Sequence, residues 1–150
     1  QELGLVSPKW QSVRQAFYDA VKLLPDTRVD IHADVGNLEI FADPLLPRVF
    51  YTLLENSLRG REGAISAISL SARQEDRVLH IVYEDNGPGI PPGEKENIFG
   101  TGYDGGTIQG LFLVKELLGF TRIVIRETGV YGSGVRFEIE VPEDKFRFLS

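Results

Sequence analysis

The sequence predicts an α+β fold, a two-layer sandwich in which a mixed, mostly antiparallel sheet of about five strands is covered on one face by about three helices. Three observations predict it. Stretches of helical period alternate with pairs of strands rather than with single ones, which disfavours a doubly wound parallel sheet. The two longest strand candidates, Ala64 to Ala72 and Val78 to Glu84, are separated only by the polar turn Arg73-Gln74-Glu75-Asp76-Arg77 and read as a hairpin. The chain has 150 residues and no linker or internal repeat that would split it. It therefore reads as a single domain with a real core.

Each element has a local cause. Trp10, Val13, Phe17, Val21 and Leu24 recur at spacings of three and four, the period of an amphipathic helix that Pro25-Asp26 ends. Val29 to Ala33 and Leu38 to Phe41 read as short strands around the turn Asp34-Val35-Gly36-Asn37. Asp43-Pro44 starts a second helix, with Asp43 as N-cap, that runs to about Arg59 and stops at Gly60. Its apolar face is Val49, Phe50, Leu53, Leu54 and Ser57. Gly87 to Gly106 is a long loop rich in glycine and proline, interrupted by a short helical turn from Glu94 to Phe99. Thr107 to Leu118 reads as a third helix with Gly119 as its stop, and two strands, about Arg122 to Glu127 and Val135 to Val141, close the order.

Composition narrows the function. The net charge of −6 argues against general nucleic-acid binding and against contact with an anionic membrane. It leaves room for an anionic small ligand, because backbone N–H groups and a divalent metal create a local positive site in an acidic protein. The absence of cysteine excludes a disulfide framework and fits a cytoplasmic setting. No G-x-x-x-x-G-K-[ST] run is present, so the chain is not a Walker-type nucleotide binder.

The chemistry gathers around Tyr83-Glu84-Asp85-Asn86-Gly87-Pro88-Gly89-Ile90-Pro91. Strand residues end there in one carboxylate, and the glycines then impose special backbone geometry. Asp85 sits at the lip of a sheet, placed either to shape a turn or to accept a hydrogen bond from an exocyclic amine. Asn56 and Arg59 lie about one turn apart on the second helix. An amide oxygen suits Mg²⁺ and a guanidinium suits phosphate, although both residues also suit a solvated helix end. Gly105, Gly106 and Gly110 open the third helix, and a helix N-terminus of that kind binds phosphate. The two histidines, His32 beside a turn and His80 inside a buried strand, read as structural.

Together these residues resemble the catalytic, ATP-binding domain of sensor histidine kinases, within the superfamily that includes gyrase, chaperone and mismatch-repair ATPases and shares the Bergerat fold. The resemblance runs from about Trp10 to Pro142 on four ordered motifs. Leu53-Leu54-Glu55-Asn56-Ser57-Leu58-Arg59 resembles the N box, which implies that Asn56 ligates Mg²⁺ and Arg59 faces the triphosphate. Asp85-Asn86-Gly87-Pro88-Gly89-Ile90 resembles the first glycine box, in which the aspartate accepts from the adenine amino group. Glu96-Asn97-Ile98-Phe99 resembles the F box, a hinge for the lid over the nucleotide. Gly106-Thr107-Ile108-Gln109-Gly110-Leu111 resembles the second glycine box. The implied nucleotide-binding set is Asn56, Arg59, Asp85, Gly87, Gly89, Ile90, Gly106, Thr107, Gly110 and Leu111.

The resemblance implies ATP and Mg²⁺ as cofactors and transfer of the γ-phosphoryl group to a histidine. The acceptor is expected on a dimerisation domain preceding Gln1, so that this chain is a fragment of a longer protein, and a response regulator is the expected downstream partner. Three departures qualify the expectation. Ile108 stands where the pattern glycine-threonine-glycine-x-glycine-leucine has its middle glycine, and a β-branched residue disfavours positive φ and close approach to phosphate. Val135 replaces a threonine and removes a hydroxyl from the adenine pocket. Thr52 stands where the hydrolases carry a water-activating glutamate, and Glu55, one helical step from Asn56, points about 100° away from it. The alternative is a pseudokinase, a nucleotide-sensing interaction module with weakened ATP binding.

Overall fold

The computed structural model describes residues 7–59, 64–100 and 110–150. The chain enters through strand β1 (Lys9–Ser12), and Ser12 then caps helix α1 (Val13–Val21), its hydroxyl accepting from the Gln15 N–H at 3.1 Å. Trp10, expected on the helix, lies on β1. Its ring packs 5.5 Å from Phe41 with the Arg147 guanidinium 4.2 Å above it, and this tertiary setting overrides the helical spacing.

Strands β2 (Asp30–Asp34) and β3 (Leu38–Ala42) flank the expected turn but do not pair with each other. β3 lies between β1 and a short final strand, β8 (Phe146–Phe148), in a separate three-stranded antiparallel sheet. β2 instead runs parallel to β4 (Ala67–Glu75), with Asp30 opposite Ala67 and Ala33 opposite Leu70. The turn hands the chain from one sheet to the other because each strand has its own apolar face to bury, Ala33 on β2 and Leu38, Ile40 and Ala42 on β3.

Helix α2 (Leu46–Leu58) starts later than expected. Asp43 does not cap it; its Oδ1 accepts the Leu45 N–H at 2.8 Å and closes a turn before the helix begins. Pro47 falls in the first turn, where the missing N–H costs no intrahelical bond. The stop expected at Gly60 lies outside the described residues, as does the part of the third helix expected before Gly110. From Gly110 onward helix α3 (Leu111–Gly119) forms as expected. The stretch leading into the F box forms a 3₁₀ turn at Pro92–Glu94, and residues 95–99 continue as turns rather than as a helical turn from Glu94 to Phe99.

The main sheet has the order β2-β4-β5-β7-β6, with β5 (Val78–Asp85), β6 (Val124–Glu127) and β7 (Arg136–Val141) all in antiparallel pairings. The predicted hairpin is β4 and β5. The expected two-layer sandwich is present, and the three-stranded sheet adds to it at the β1 and β8 ends. Period-two alternation sorts the faces. Ile68, Leu70, Leu79, Ile81, Tyr83, Phe137, Ile139 and Val141 point toward the helices and form one core with Phe17, Phe50, Leu53 and Leu54. α1 docks on α2 partly through the edge-on ring pair Phe17–Phe50 at 5.7 Å, and Tyr18 ties α1 to β2 by accepting the Ala33 N–H.

The opposite face is polar. His80, expected inside a buried strand, lies on a central strand whose side chains alternate, and its ring points to this outer face. There its Nε2 is 3.3 Å from Glu75 and its Nδ1 3.5 Å from Glu138. His32 is exposed on β2. Neither histidine sits on a helix. Among the described residues no helix is long and apolar enough to cross a membrane.

Burial by itself would raise the Glu138 carboxyl. The hydrogen bond from Thr128 and the charges of Arg136, Arg73 and His80 outweigh it and hold the group below the ordinary glutamate value of 4.5. A depressed carboxyl contributes stability above its unfolded value and loses it as pH falls through the lower folded value. Glu138→Gln is therefore expected to destabilise the protein at neutral pH, with the difference from wild type vanishing in strong acid. Urea unfolding at about pH 7 and about pH 3 checks this.

Candidate functional site

The C-terminal end of β5 delivers Asp85 into the layer between sheet and helices, where it is only 6% exposed. A carboxylate so placed must be hydrogen-bonded. Its Oδ1 accepts the backbone N–H groups of Gly87 at 3.0 Å and Val135 at 3.1 Å, and its Oδ2 accepts the Ser57 hydroxyl at 2.7 Å. Of the two sequence readings of Asp85, the turn-shaping one is realised by Oδ1, while Oδ2 faces α2. Ser57 also lies 2.7 Å from the Tyr83 hydroxyl, which donates to the Leu53 carbonyl at 3.0 Å.

Two glycines make this approach possible. Gly134 has φ +105°, and a Cβ there would stand 1.9 Å from the Asp85 carbonyl oxygen. Gly89 has φ +81°, and a Cβ would come within 2.9 Å of the Gly134 carbonyl oxygen. The β5–α3 and β6–β7 connections therefore touch backbone to backbone, sealed by the Gly132 N–H on the Pro88 carbonyl at 2.7 Å. Gly110 opens α3 at φ +82° with Thr52 against it.

The other predicted residues fall into distinct settings. Asn56 precedes Ser57 on α2 and is 2% exposed. Arg59 ends α2 with its guanidinium 3.4 Å from Glu55, a pair on the helix surface. Ile90 and Leu111 are buried in the core. Gly106, Thr107 and Ile108 lie outside the described residues. The Thr52 hydroxyl donates to the Arg48 carbonyl one turn back, so it is committed to its own helix. Of the F box, Ile98 is buried and Phe99 packs edge-on against Phe137 at 6.3 Å.

Two features escaped the sequence reading. The apolar face expected of α2 includes Ser57, yet its hydroxyl joins α2 to Asp85; a serine among leucines is the signal for it. The second is an ion pair between Lys95 and Glu127 at 2.7 Å, with the Glu127 side chain 1% exposed. Glu127 Oε2 accepts the N–H groups of Gly129 and Arg136, and Lys95 Nζ also donates to the Gly129 carbonyl. This pair fastens the loop after the first glycine box to the β6–β7 connection. The two residues are far apart in sequence and neither belongs to a motif, so spacing gave no sign of it.

With this geometry established, comparison with known proteins locates the chain. Residues 42–145 match the family model described as histidine kinase-, DNA gyrase B- and HSP90-like ATPase. The chain belongs to this family. It is 38% identical over 76 residues to the sensor protein KdpD of Escherichia coli, a match covering 51% of this chain and 8% of KdpD. It is 23% identical over 150 residues to the sensor histidine kinase WalK of Bacillus subtilis, covering 93% of this chain and 23% of WalK. The chain thus corresponds to a minor part of these relatives. The mycobacterial sensor histidine kinase MprB superimposes with a TM-score of 0.78 at 19% identity, covering 95% of this chain and 99% of that one. The catalytic domain of the histidine kinase ThkA gives 0.75 at 18% identity, covering 92% and 97%. These structures share the sandwich fold.

Two substitutions test the site's construction. Gly134→Ala is expected to destabilise the protein by about 3 kcal/mol or more, because both the positive φ and the Asp85 carbonyl exclude a side chain. Lys95→Met is expected to cost about 3 kcal/mol by leaving the Glu127 charge buried and uncompensated, with partial recovery when Glu127→Gln is added. Thermal and urea unfolding of the single and double variants measures both.

Proposed function

We propose that this chain is the single ATP-binding catalytic domain of a longer sensor histidine kinase. In this reading it binds Mg-ATP and directs the γ-phosphoryl group to a histidine on a separate dimerisation domain. The observation that carries the reading is Asp85, a buried carboxylate fixed by two backbone N–H groups and a hydroxyl at the mouth of a glycine-built connection. Such a group recognises an exocyclic amine by accepting from it, and its fixed orientation avoids reorganisation on binding.

The residues suit the nucleotide and the metal. The glycines around Asp85 let the two connections close on the carboxylate and fix it, and Gly110 places the N-terminus of α3 within reach of Thr52 on α2. Asn56 offers a hard amide oxygen beside Ser57. A Mg²⁺ ion in this reading is held by that one side chain together with phosphate oxygens and water. When bound, Mg²⁺ offsets negative charge on the phosphates. Asp85 selects the base, Asn56 sets the position of the phosphates, and Arg59 orients them by exchanging its exposed Glu55 partner for phosphate oxygens. Gly87 and Gly89 let the loop wrap the base. Ile90 and Leu111 back the site from the core, and Gly106 and Thr107 are assigned to the phosphate loop on the sequence pattern.

His32 and His80 both lie on strands, so the phosphoacceptor is assigned to another domain of the full protein. The proposed partners are that histidine-bearing domain and a response regulator, and the proposed setting is the cytoplasm. A second reading, a pseudokinase with weak nucleotide affinity, rests on Ile108 at a position where the family pattern has glycine.

Calorimetric titration with Mg²⁺ and a non-hydrolysable ATP analogue tests the function. Wild type is expected to bind, and Asp85→Asn to bind more than about tenfold more weakly. The amide must keep its oxygen toward Gly87 and Val135, which turns its NH₂ donor toward the base. A sharp gain in affinity on Ile108→Gly would favour the pseudokinase reading.

A further inference from the structure

A carboxylate offers about four acceptor positions. Among the described residues three of those on Asp85 are occupied: both on Oδ1, by the Gly87 and Val135 N–H groups, and one on Oδ2, by Ser57. The single remaining position lies on Oδ2, beside the Ser57 hydroxyl. Its direction in space is therefore set by where Ser57 stands.

Ser57 is itself held on two sides. It is carried by α2 and 2% exposed, and its Oγ lies 2.7 Å from the hydroxyl of the fully buried Tyr83. Tyr83 in turn donates to the carbonyl of Leu53, one turn earlier on the same helix. With the Ser57 proton given to Asp85, the single Tyr83 hydroxyl proton is shared between Ser57 Oγ and the Leu53 carbonyl, so that Asp85, Ser57, Tyr83 and the Leu53 backbone form one connected polar chain between the central strand and α2. Two hydroxyls placed among leucine, isoleucine and phenylalanine side chains contribute little net stability, since each exchanges water partners for protein ones. What such a chain does supply is orientation, because every member is fixed by its neighbours.

We propose that Ser57 and Tyr83 are positioning residues that set base specificity. They hold the Asp85 carboxylate so that its last acceptor position receives the exocyclic amine of a 6-aminopurine. A 6-oxopurine would present an acceptor to that acceptor and is rejected. The inference deepens the proposed function and rests on Asp85 being the acceptor for the base. It also links base recognition to the turn of α2 that carries Asn56, so the base and phosphate ends of the site share one rigid support.

The test is calorimetric titration of the chain, with Mg²⁺, against two non-hydrolysable nucleoside triphosphates. One carries adenine and the other carries purine, which lacks the amine. Wild type, Ser57→Ala, Tyr83→Phe and the double variant are compared, with thermal unfolding recorded for each. Wild type is expected to favour the amine-bearing ligand by about tenfold or more. Ser57→Ala should reduce that preference to about threefold or less by weakening the adenine ligand alone, and the double variant should match it, because the two hydroxyls act as one unit. Tyr83→Phe, the milder change, should show the same selective loss to a smaller degree, and it carries the test if Ser57→Ala does not fold. Parallel weakening of both ligands, or an unchanged preference in the variants, overturns the inference and leaves the nucleotide reading intact. Wild type that binds neither ligand overturns the nucleotide reading as well.

Discussion

A charged carboxylate between a sheet and its helices is unfavourable unless its oxygens are engaged, and Asp85 dictates much of its surroundings for that reason. Two of its partners are backbone N–H groups, one from the connection that follows β5 and one from the β6–β7 connection, and the third is a hydroxyl on α2. Engaging them requires the two connections to close on each other at backbone distance. That closure explains why Gly89 and Gly134 carry positive φ and no side chain. The helix, the strand and the two loops are in this sense arranged around one side chain.

The site and the outer sheet face solve the same electrostatic problem differently. On the outer face, Arg73, His80, Arg126 and Arg136 interleave with Glu75, Glu138 and Glu140 in partly hydrated pairs that contribute little individually. Inside, Asp85 has no cation among its partners in the described residues and is held by neutral donors. A carboxylate so satisfied keeps its capacity to accept from a neutral amine, which a salt bridge would compete for. The Lys95–Glu127 pair stands between these cases, since its acid is buried while the lysine side chain remains 26% exposed.

Much of this was legible in the sequence. The strand pairs, the hairpin of β4 and β5 and the three helices follow from periodicity and turn residues, and the position of Asp85 follows from a strand ending in glycines. What was not legible required partners distant along the chain. The separation of β2 from β3 depends on which sheet each strand joins, and a short turn looks the same in either case. Trp10 obeyed a helical spacing by coincidence and was drawn onto a strand by Phe41 and Arg147. β8, three residues long, carries too little pattern to be seen. Ser57 and Tyr83 were passed over because a small polar residue on an apolar helix face and an aromatic residue in a strand are both ordinary until one is placed against the other.

The parallel pairing of β2 with β4 bears on how the molecule assembles. Between those two strands the chain must build β3, in a different sheet, and all of α2. The β4–β5 hairpin and the β6–β7 pair are nearly local and can form early, whereas joining β5 to β7 and adding β2 to β4 each require a long loop to close. The sheet is thereby built from two local pairs that meet between β5 and β7, the same seam at whose end Val135 reaches Asp85.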